Sequence, residues 1–243
     1  MADSNSNNRV ILFFIEDPGA LVGMLPMARH LTHAGCSIYI ELDGYAKNVN
    51  SLDLEGFTIE SNSVENILNK KYNCVIVGSS ENRESKAFQL IKICREMKIT
   101  SYAFVDGPAN PKHRFSGKSF DPLRFSPDFL IVVDEITAAS FVQMGFSKHA
   151  ILVIEHPRID DLQRQRVKLS GKSHSDLKTL AFGESYRNCF IITFCSELST
   201  GLNADGYQKT ADYLLEAPDD IFRRTDVVVH NFITAIDELR KTG

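Results

Sequence analysis

The sequence predicts an α/β protein built on a doubly wound, mainly parallel sheet. Short continuous apolar runs, such as RVILFFI at 9–15, are typical of strands that are buried on both faces. These runs alternate with segments whose apolar residues recur every three or four positions, as they do on an amphipathic helix. Because consecutive parallel strands need right-handed crossovers, a Rossmann-like sheet with helices on both faces accommodates this alternation.

The elements follow one another along the first two thirds of the chain. Strands are predicted at 9–15, 37–42, 57–60, 73–78, 100–105, 128–134 and 149–155, and helices at 21–35, 64–71, 84–98 and 135–145. Pro26 lies inside the first helical pattern, which predicts a kink or a late helix start there. Between the fifth and sixth strands, residues 106–127 contain four prolines and no apolar period. A loop of that length in a compact domain is typically functional.

The pattern divides the chain into four stretches. Residues 1–8 are a polar, disordered lead, 9–157 form the Rossmann-like domain, and 158–188 are a polar linker with some helix. Residues 189–243 open with the strand-like run CFIITFC at 189–195 and continue as a loop and helices. One strand and two helices cannot bury an independent core. This segment is therefore expected to be the start of an incomplete second α/β domain, or to pack on the first domain or on another chain. An apolar stripe for such packing or self-association is formed by Phe232, Ile233, Ile236 and Leu239.

Composition excludes several classes of function. The 243 residues carry a net charge of -4, which provides no basic surface for nucleic acid. The longest apolar runs are far shorter than the roughly 20 residues of a membrane span. No C-x-x-C pair occurs among the five cysteines, and no Cys or His pair has metal-ligand spacing, so no metal and no cofactor are expected. Free thiols in apolar segments predict a reducing, cytoplasmic location.

Two carboxylates follow the first strand, where open α/β sheets bind their ligands. Glu16 and Asp17 precede the turn at Pro18 and Gly19. A carboxylate here can take a proton from a hydroxyl group. Alternatively, Asp17 caps the helix, with Pro18 at the first helical position. Gly19 suits either a tight turn or an approaching ligand. Glu16 has no comparable alternative role, so Glu16→Gln is the sharper test.

Three further groups of polar residues follow later strands. Ser79, Ser80 and Glu81 come after the fourth strand and can offer backbone N–H groups and hydroxyls to a ligand; alternatively, Ser80 caps the next helix. Asp106 opens the long loop, and His156 begins the linker as either a structural or a ligand-facing side chain. The long loop interleaves basic and aromatic residues that could close over an anionic sugar phosphate, or could be a solvated loop anchored by its Phe residues. These are Lys112, His113, Arg114, Phe115, Lys118, Phe120, Arg124 and Phe125.

Four segments in this order resemble the N-terminal half of a GT-B-fold glycosyltransferase, of the kind linked to polysaccharide biosynthesis. The segments are ILFFIEDPGALVGMLPMARHL, PDFLIVVDEITAASFVQMGF, ILVIEHPRIDDL and FIITFCSELS. The pattern, over roughly residues 9–200, is also similar to sugar-nucleotide 2-epimerases that share the fold. Two departures are visible, because His156 stands where the pattern has Gly and no Gly-rich phosphate loop follows the first strand.

The resemblance implies an acceptor-side domain whose enzyme moves a sugar from a nucleotide-sugar donor to a glycan acceptor. Glu16 or Asp17 would then be the base, and the 106–127 loop would form the acceptor wall. If the chain is a truncation, it is expected to be inactive alone. Two alternatives stay open: a non-catalytic Rossmann-like binding or assembly module, and half of a sugar-nucleotide epimerase.

Overall fold

The computed structural model describes residues 9–49, 54–61, 63–67, 69, 72–193 and 224–242. The chain divides into two compact units, Met1–Gly171 and Lys172–Gly243. The first unit contains the whole sheet, and the second is helical in its described part.

The first unit is a seven-stranded sheet in which every pair of neighbouring strands is parallel. Its strands are β1 (Val10–Ile15), β2 (Ser37–Leu42), β3 (Thr58–Ile59), β4 (Cys74–Gly78), β5 (Thr100–Val105), β6 (Phe129–Val132) and β7 (Ile151–Val153). They lie in the order β3-β2-β1-β4-β5-β6-β7. The predicted doubly wound α/β sheet is therefore confirmed, and its strand order reverses between β1 and β4.

Helices cover both faces of this sheet. They are α1 (Pro18–His33), α2 (Ser63–Asn66), α3 (Lys86–Met97), α4 (Glu135–Gln143) and α5 (Arg158–Leu169). Alternate residues of β1 pack on opposite faces: Leu12 and Phe14 join the core that includes α3 and α4, whereas Phe13 and Ile15 join the core that includes α1. All four are fully buried, which explains the continuous apolar run.

Helix α1 differs from its prediction because it begins at Pro18 and continues through Pro26. The expected late start is therefore wrong. Proline at the first helical position costs nothing, since that N–H has no helical partner. Pro26 removes one interior hydrogen bond, but the helix buries Leu21, Met24 and Leu25 against the sheet, and this packing offsets the loss.

The second unit contains α6 (His174–Phe182), a short 3-10 turn (Glu184–Tyr186) and α7 (Arg224–Thr242). Residues 189–193, the described part of the predicted strand, are not in strand conformation, and Phe190 is 89% exposed. Residues 194–195 lie outside the described part. The predicted linker at 158–188 contains α5 and α6, so the helix expected in it is present. The predicted apolar stripe lies on α7, where Phe232 and Ile236 are partly buried and Ile233 is exposed.

Within the described residues, no helix combines the length and apolar character that a bilayer span requires. The cysteines among them are free thiols, as expected, but their burial differs: Cys94 is buried, Cys36 and Cys74 are partly buried, and Cys189 is exposed. The prediction of buried thiols is therefore wrong for Cys189, because the strand expected to bury it is absent from 189–193.

Candidate functional site

The carboxyl ends of β1, β4 and β5 bring several of the predicted residues together. This edge lies at the reversal of strand order, where open α/β sheets form their ligand crevice. The residues that interact at this edge, called here the edge cluster, are Asp17, Ser79, Ser80, Glu81, Asp106 and Arg114.

Arg114 is the cation of the edge cluster and is only 8% exposed. Its Nη1 lies 3.2 Å from Asp106 Oδ1 and donates a hydrogen bond of 3.4 Å to Ser79 Oγ. Its Nε donates to the carbonyl oxygen of Ala109 at 3.2 Å. Asp106 Oδ1 is buried and accepts no hydrogen bond, so its contact with Arg114 is an ion pair without hydrogen-bond alignment. The long loop thus places the Arg114 guanidinium next to the residues that follow β4 and β5.

Gly19 allows the closest approach in the edge cluster. A Cβ atom at this position would overlap Asp106 Oδ2. The carboxylate of Asp106 therefore lies against the first turn of α1, between Gly19 and Arg114. The group that approaches Gly19 belongs to the chain itself, whereas the sequence suggested a tight turn or an approaching ligand; a ligand contact at Gly19 stays a prediction.

Asp17 occupies the N-cap position of α1 with an extended backbone, but its side chain makes no capping hydrogen bond. The predicted capping role of the side chain is therefore wrong. Burial raises the pKa of the Asp17 carboxyl, and the neighbouring Asp106 and Glu81 raise it further. Hydrogen bonding to Ser80 and the charge of Arg114 act to lower this pKa. Asp17 is thus a carboxylate turned toward the edge cluster, with an affinity for protons above that of an ordinary aspartate.

Glu16 is buried beside the edge cluster, with 7% exposure. It accepts a hydrogen bond from the hydroxyl of Ser85, and Ser85 Oγ accepts one of 3.1 Å from Ala87 N as the N-cap of α3. Burial raises the pKa of Glu16, and Asp43 and Asp17 raise it further, whereas bonds from Ser85 and the Lys86 backbone lower it. Glu16 is therefore a buried acceptor at the start of α3.

Ser85 is the residue of this region that the sequence reasoning missed. The signal was present, because a serine directly before an amphipathic helix is a typical N-cap. The capping role predicted for Ser80 is wrong; Ser80 Oγ instead accepts a hydrogen bond of 3.1 Å from Asn82 N within the loop.

Two loops are joined across the edge. Asn110 Nδ2 donates to both carboxylate oxygens of Glu81, at 3.0 and 3.2 Å, and Lys118 forms an ion pair with Glu84. Together with the bond from Arg114 to Ser79, these contacts fix the long loop against the loop that follows β4. The long loop is thus an ordered wall of the site.

The aromatic residues of the long loop have different roles. Phe115 is 1% exposed and packs against Phe141, with ring centroids 5.8 Å apart. Phe125 stacks on Phe88 of α3 at 4.9 Å. The expectation of a loop anchored by Phe residues therefore holds for these two, whereas Phe120 is fully exposed.

His113 and His156 are the two histidines predicted for the site. His113 lies in a short 3-10 turn and is exposed. His156 Nδ1 accepts a hydrogen bond of 3.3 Å from Arg158 N, and its ring packs edge-on against Phe104 with centroids 6.0 Å apart. A Cβ at Gly23 would lie 3.4 Å from the His156 ring. The contacts described for His156 are therefore packing contacts beside α1.

A second charge group lies next to Glu16. Asp43 pairs with Lys86 at 2.6 Å and with Lys47 at 2.5 Å. Partial burial acts to raise the pKa of Asp43, but the two lysines outweigh it and lower that pKa to about 2. Lys47 and Lys86 therefore both form ion pairs with a carboxylate of the chain itself.

The edge cluster can exchange hydrogen bonds with a polar ligand and can accept a proton at Asp17. Carboxylates accept hydrogen bonds, a guanidinium donates them, and serine hydroxyls do both. Within the described residues, no three His, Cys, Asp or Glu side chains are grouped to hold a metal ion.

The fold has counterparts among solved structures. The chain is similar to UDP-GlcNAc 2-epimerase from Neisseria meningitidis bound to UDP-GlcNAc, at 13% identity and TM-score 0.50, covering 72% of this chain and 53% of that one. It is also similar to the Methanocaldococcus jannaschii UDP-GlcNAc 2-epimerase in complex with UDP-GlcNAc and UDP, at 12% identity and TM-score 0.50, covering 70% and 52%. The lipopolysaccharide outer core galactosyltransferase WaaB matches at 11% identity and TM-score 0.43, covering 60% and 45%.

The two matches at TM-score 0.50 confirm the predicted resemblance in fold to a half of a GT-B-type protein. The chain spans about half the length of the structures it matches, 53% and 52% for the two epimerases. Neither a protein-family profile nor a curated protein sequence matches the chain.

Proposed function

We propose that this chain is the acceptor-side domain of a GT-B-type glycosyltransferase, which moves a sugar from a nucleotide-sugar donor to a glycan acceptor. The observation that carries the proposal is the position of Asp17. Its carboxylate lies at the crevice edge with Ser80, Arg114 and Asp106, and its pKa is raised. The fold supports the proposal, because the two epimerases with this fold described above bind UDP-GlcNAc. Polysaccharide biosynthesis, a cytoplasmic location and self-association through 189–243 stay predictions.

In this proposal Asp17 is the general base. It takes the proton of the acceptor hydroxyl as the hydroxyl oxygen attacks the anomeric carbon and the nucleotide leaves with the bonding electron pair. A raised pKa makes Asp17 a stronger base once it is ionised, and general bases work best when their pKa is near the operating pH. Arg114 and Ser79 hold the wall against which the acceptor ring lies.

Glu16 is assigned a different role in this proposal. Its carboxylate is nine-tenths buried and already accepts a hydrogen bond from Ser85. A buried, bonded carboxylate is poorly placed to meet an acceptor hydroxyl, so we assign Glu16 to positioning the first turn. The assignment reverses the sequence-based preference for Glu16 as the residue to test first.

The experiment compares Asp17→Asn with wild type. Binding of UDP-, GDP- and CMP-sugars and of a glycan panel is measured by calorimetry on the chain, and transfer is measured by mass spectrometry on the enzyme of which this chain is proposed to be the acceptor-side domain. We expect Asp17→Asn to lower the transfer rate by about 10²- to 10⁴-fold, the usual contribution of a general base, while glycan binding changes little. Glu96→Gln, which makes the same charge change on the exposed end of α3, is the matched control. Unchanged transfer in Asp17→Asn, or no binding of any glycan, would contradict the proposal.

A second candidate is half of a sugar-nucleotide 2-epimerase. The observation in its favour is that the two matches described above at TM-score 0.50 are both UDP-GlcNAc 2-epimerases. Asp17 and Asp106 would then be the candidate proton-transferring groups. Incubation with UDP-GlcNAc in deuterated water separates the candidates, because epimerisation by proton removal incorporates deuterium at the inverted carbon and glycosyl transfer does not.

A further inference from the structure

We infer that the edge cluster selects a non-anionic sugar: it binds adjacent hydroxyls of a neutral or amine-bearing ring and rejects carboxylated and phosphorylated sugars. This inference rests on the proposed function, because it names the class of acceptor that the same site takes. Three observations support it: the position of the Asp106 carboxylate, the N–H donors that remain on Arg114, and the net charge of the edge cluster.

Asp106 already occupies the place that an external anion would take. An anion bound at this edge would contact the first turn of α1 and the nearest guanidinium. The carboxylate of Asp106 has one oxygen against Gly19 in that turn and the other 3.2 Å from Arg114 Nη1. A phosphate or a sugar carboxylate would therefore have to displace a carboxylate that belongs to the chain.

Arg114 retains donors that suit a hydroxyl group. The residue is 8% exposed, and its Nε and Nη1 are held by Ala109, Ser79 and Asp106. In the part of the chain that the structure describes, Nη2 has no hydrogen-bond partner, which leaves its donors for a ligand. Asp17 lies close enough to Arg114 for the two charges to interact.

This pairing of groups matches adjacent hydroxyls. A carboxylate can only accept hydrogen bonds and a guanidinium can only donate them, whereas a hydroxyl does both. Two neighbouring hydroxyls on a sugar ring can therefore donate to Asp17 and accept from Arg114 at the same time. A carboxylate or phosphate ligand could satisfy Arg114 but would face Asp17 with the same charge.

The surrounding charges reinforce this selection. Asp17, Glu81 and Asp106 contribute three carboxylates to the edge cluster, and Arg114 is its one cation among the described residues. Three lysines of the region form ion pairs with other carboxylates: Lys47 and Lys86 with Asp43, and Lys118 with Glu84. The edge cluster itself is thus negative, which attracts an ammonium group and repels a second anion.

The test compares three methyl glycosides that share one hexose ring: the neutral sugar, the 2-amino sugar and the uronic acid. Gluco, galacto and manno series are each titrated against the full chain by ligand-observed NMR. We expect the neutral and amino sugars to bind and the uronic acid to bind at least about tenfold more weakly in the same series. Glu81→Gln removes one negative charge while keeping an oxygen that accepts from Asn110. It should therefore reduce the difference in affinity between the neutral sugar and the uronic acid, whereas Glu96→Gln should leave that difference unchanged.

The outcomes separate this inference from the function on which it rests. Uronic acid binding equal to or tighter than neutral sugar binding overturns the charge selection but leaves an acceptor site in place. Absence of binding by all nine glycosides overturns the acceptor site itself, and the inference with it. If the affinity difference between the neutral sugar and the uronic acid is the same in Glu81→Gln as in the wild type, the electrostatic explanation is overturned.

Discussion

Glu16 accepts a hydrogen bond from the hydroxyl of Ser85, although 69 positions separate the two residues in the chain. This bond joins the end of β1 to the start of α3, on the side of the sheet opposite α1. It places a buried carboxylate at the first N–H groups of a helix, and the bonds from Ser85 and from the Lys86 backbone offset part of the cost of burying its charge. Four predictions test this region and the edge cluster.

Glu16→Gln should change how stability depends on pH. Burial raises the pKa of Glu16 above its ordinary value of 4.5, so the folded chain holds this proton more tightly than the unfolded chain. The associated stability is full below the unfolded pKa and is lost as pH rises through the folded pKa. Glutamine cannot ionise, and its carbonyl can still accept from Ser85. We expect Glu16→Gln to melt at or above the wild-type temperature at neutral pH, with the difference closing near pH 4. A clearly lower melting temperature at neutral pH would contradict this.

Ser85→Ala should destabilise the chain more than Ser80→Ala. The change removes the N-cap of α3 and leaves the buried Glu16 without the hydroxyl that donates to it. Loss of a cap costs about 0.5–2 kcal/mol, and an orphaned buried acceptor adds about 1–3 kcal/mol. Urea unfolding measures the difference. Ser80 is an appropriate control because it is equally buried but caps no helix. Equal urea midpoints for the two variants would contradict the contributions assigned to both the α3 cap and the bond to Glu16.

Gly19→Ala should impair ligand binding more than Gly107→Ala. A Cβ at position 19 overlaps Asp106 Oδ2 and would displace the carboxylate from Arg114, whereas a Cβ at Gly107 meets nothing within 4 Å. Both changes add one methyl group, and Gly107 directly follows Asp106 in the chain. We expect glycan titration to show weaker binding for Gly19→Ala alone. Wild-type binding in both variants would exclude Asp106 from the site.

Asp43→Asn should cost stability at neutral pH but not in acid. The pKa of Asp43 falls from 3.8 to about 2 because Lys47 and Lys86 outweigh the effect of its burial. The ionised carboxylate therefore stabilises the folded state above the unfolded pKa, and this stability is lost as pH falls toward the folded pKa. Acid titration followed by circular dichroism should show the wild type and the variant converging between pH 3.8 and about 2. A constant difference across that range would contradict the assignment.

The sequence predicted the sheet well because its signals are local. A strand buried on both faces, such as β1, is one apolar run, and the ranges predicted for β2 and β5 match the structure. The structure of the second unit was predicted less well. CFIITFC has the composition of a strand, but a strand requires a partner, and its described residues have none in the sheet.

The candidate site was predictable as a region and less so in its contacts. Asp17, Ser79 and Arg114 were placed at the crevice edge because parallel strands end on the same side of a sheet. The ion pair between Arg114 and Asp106 was not predicted, because it depends on how a long loop folds back on its own first residue. The bond between Glu16 and Ser85 was also missed, since no local pattern specifies a contact between a strand end and a distant helix start.

The close approach of Asp106 to Gly19 has a consequence for evolution. The two positions share one small volume, so neither can enlarge unless the other shrinks or retreats. We expect related sequences to show correlated substitution at this pair, with glycine at 19 wherever an acid stands at 106, and larger residues at 19 only where 106 has become small. A relative with a larger residue at 19 and a small one at 106 would lack the Asp106 carboxylate and would have room for an anionic ligand. We therefore expect the charge of the substrate to change together with the residues at these two positions.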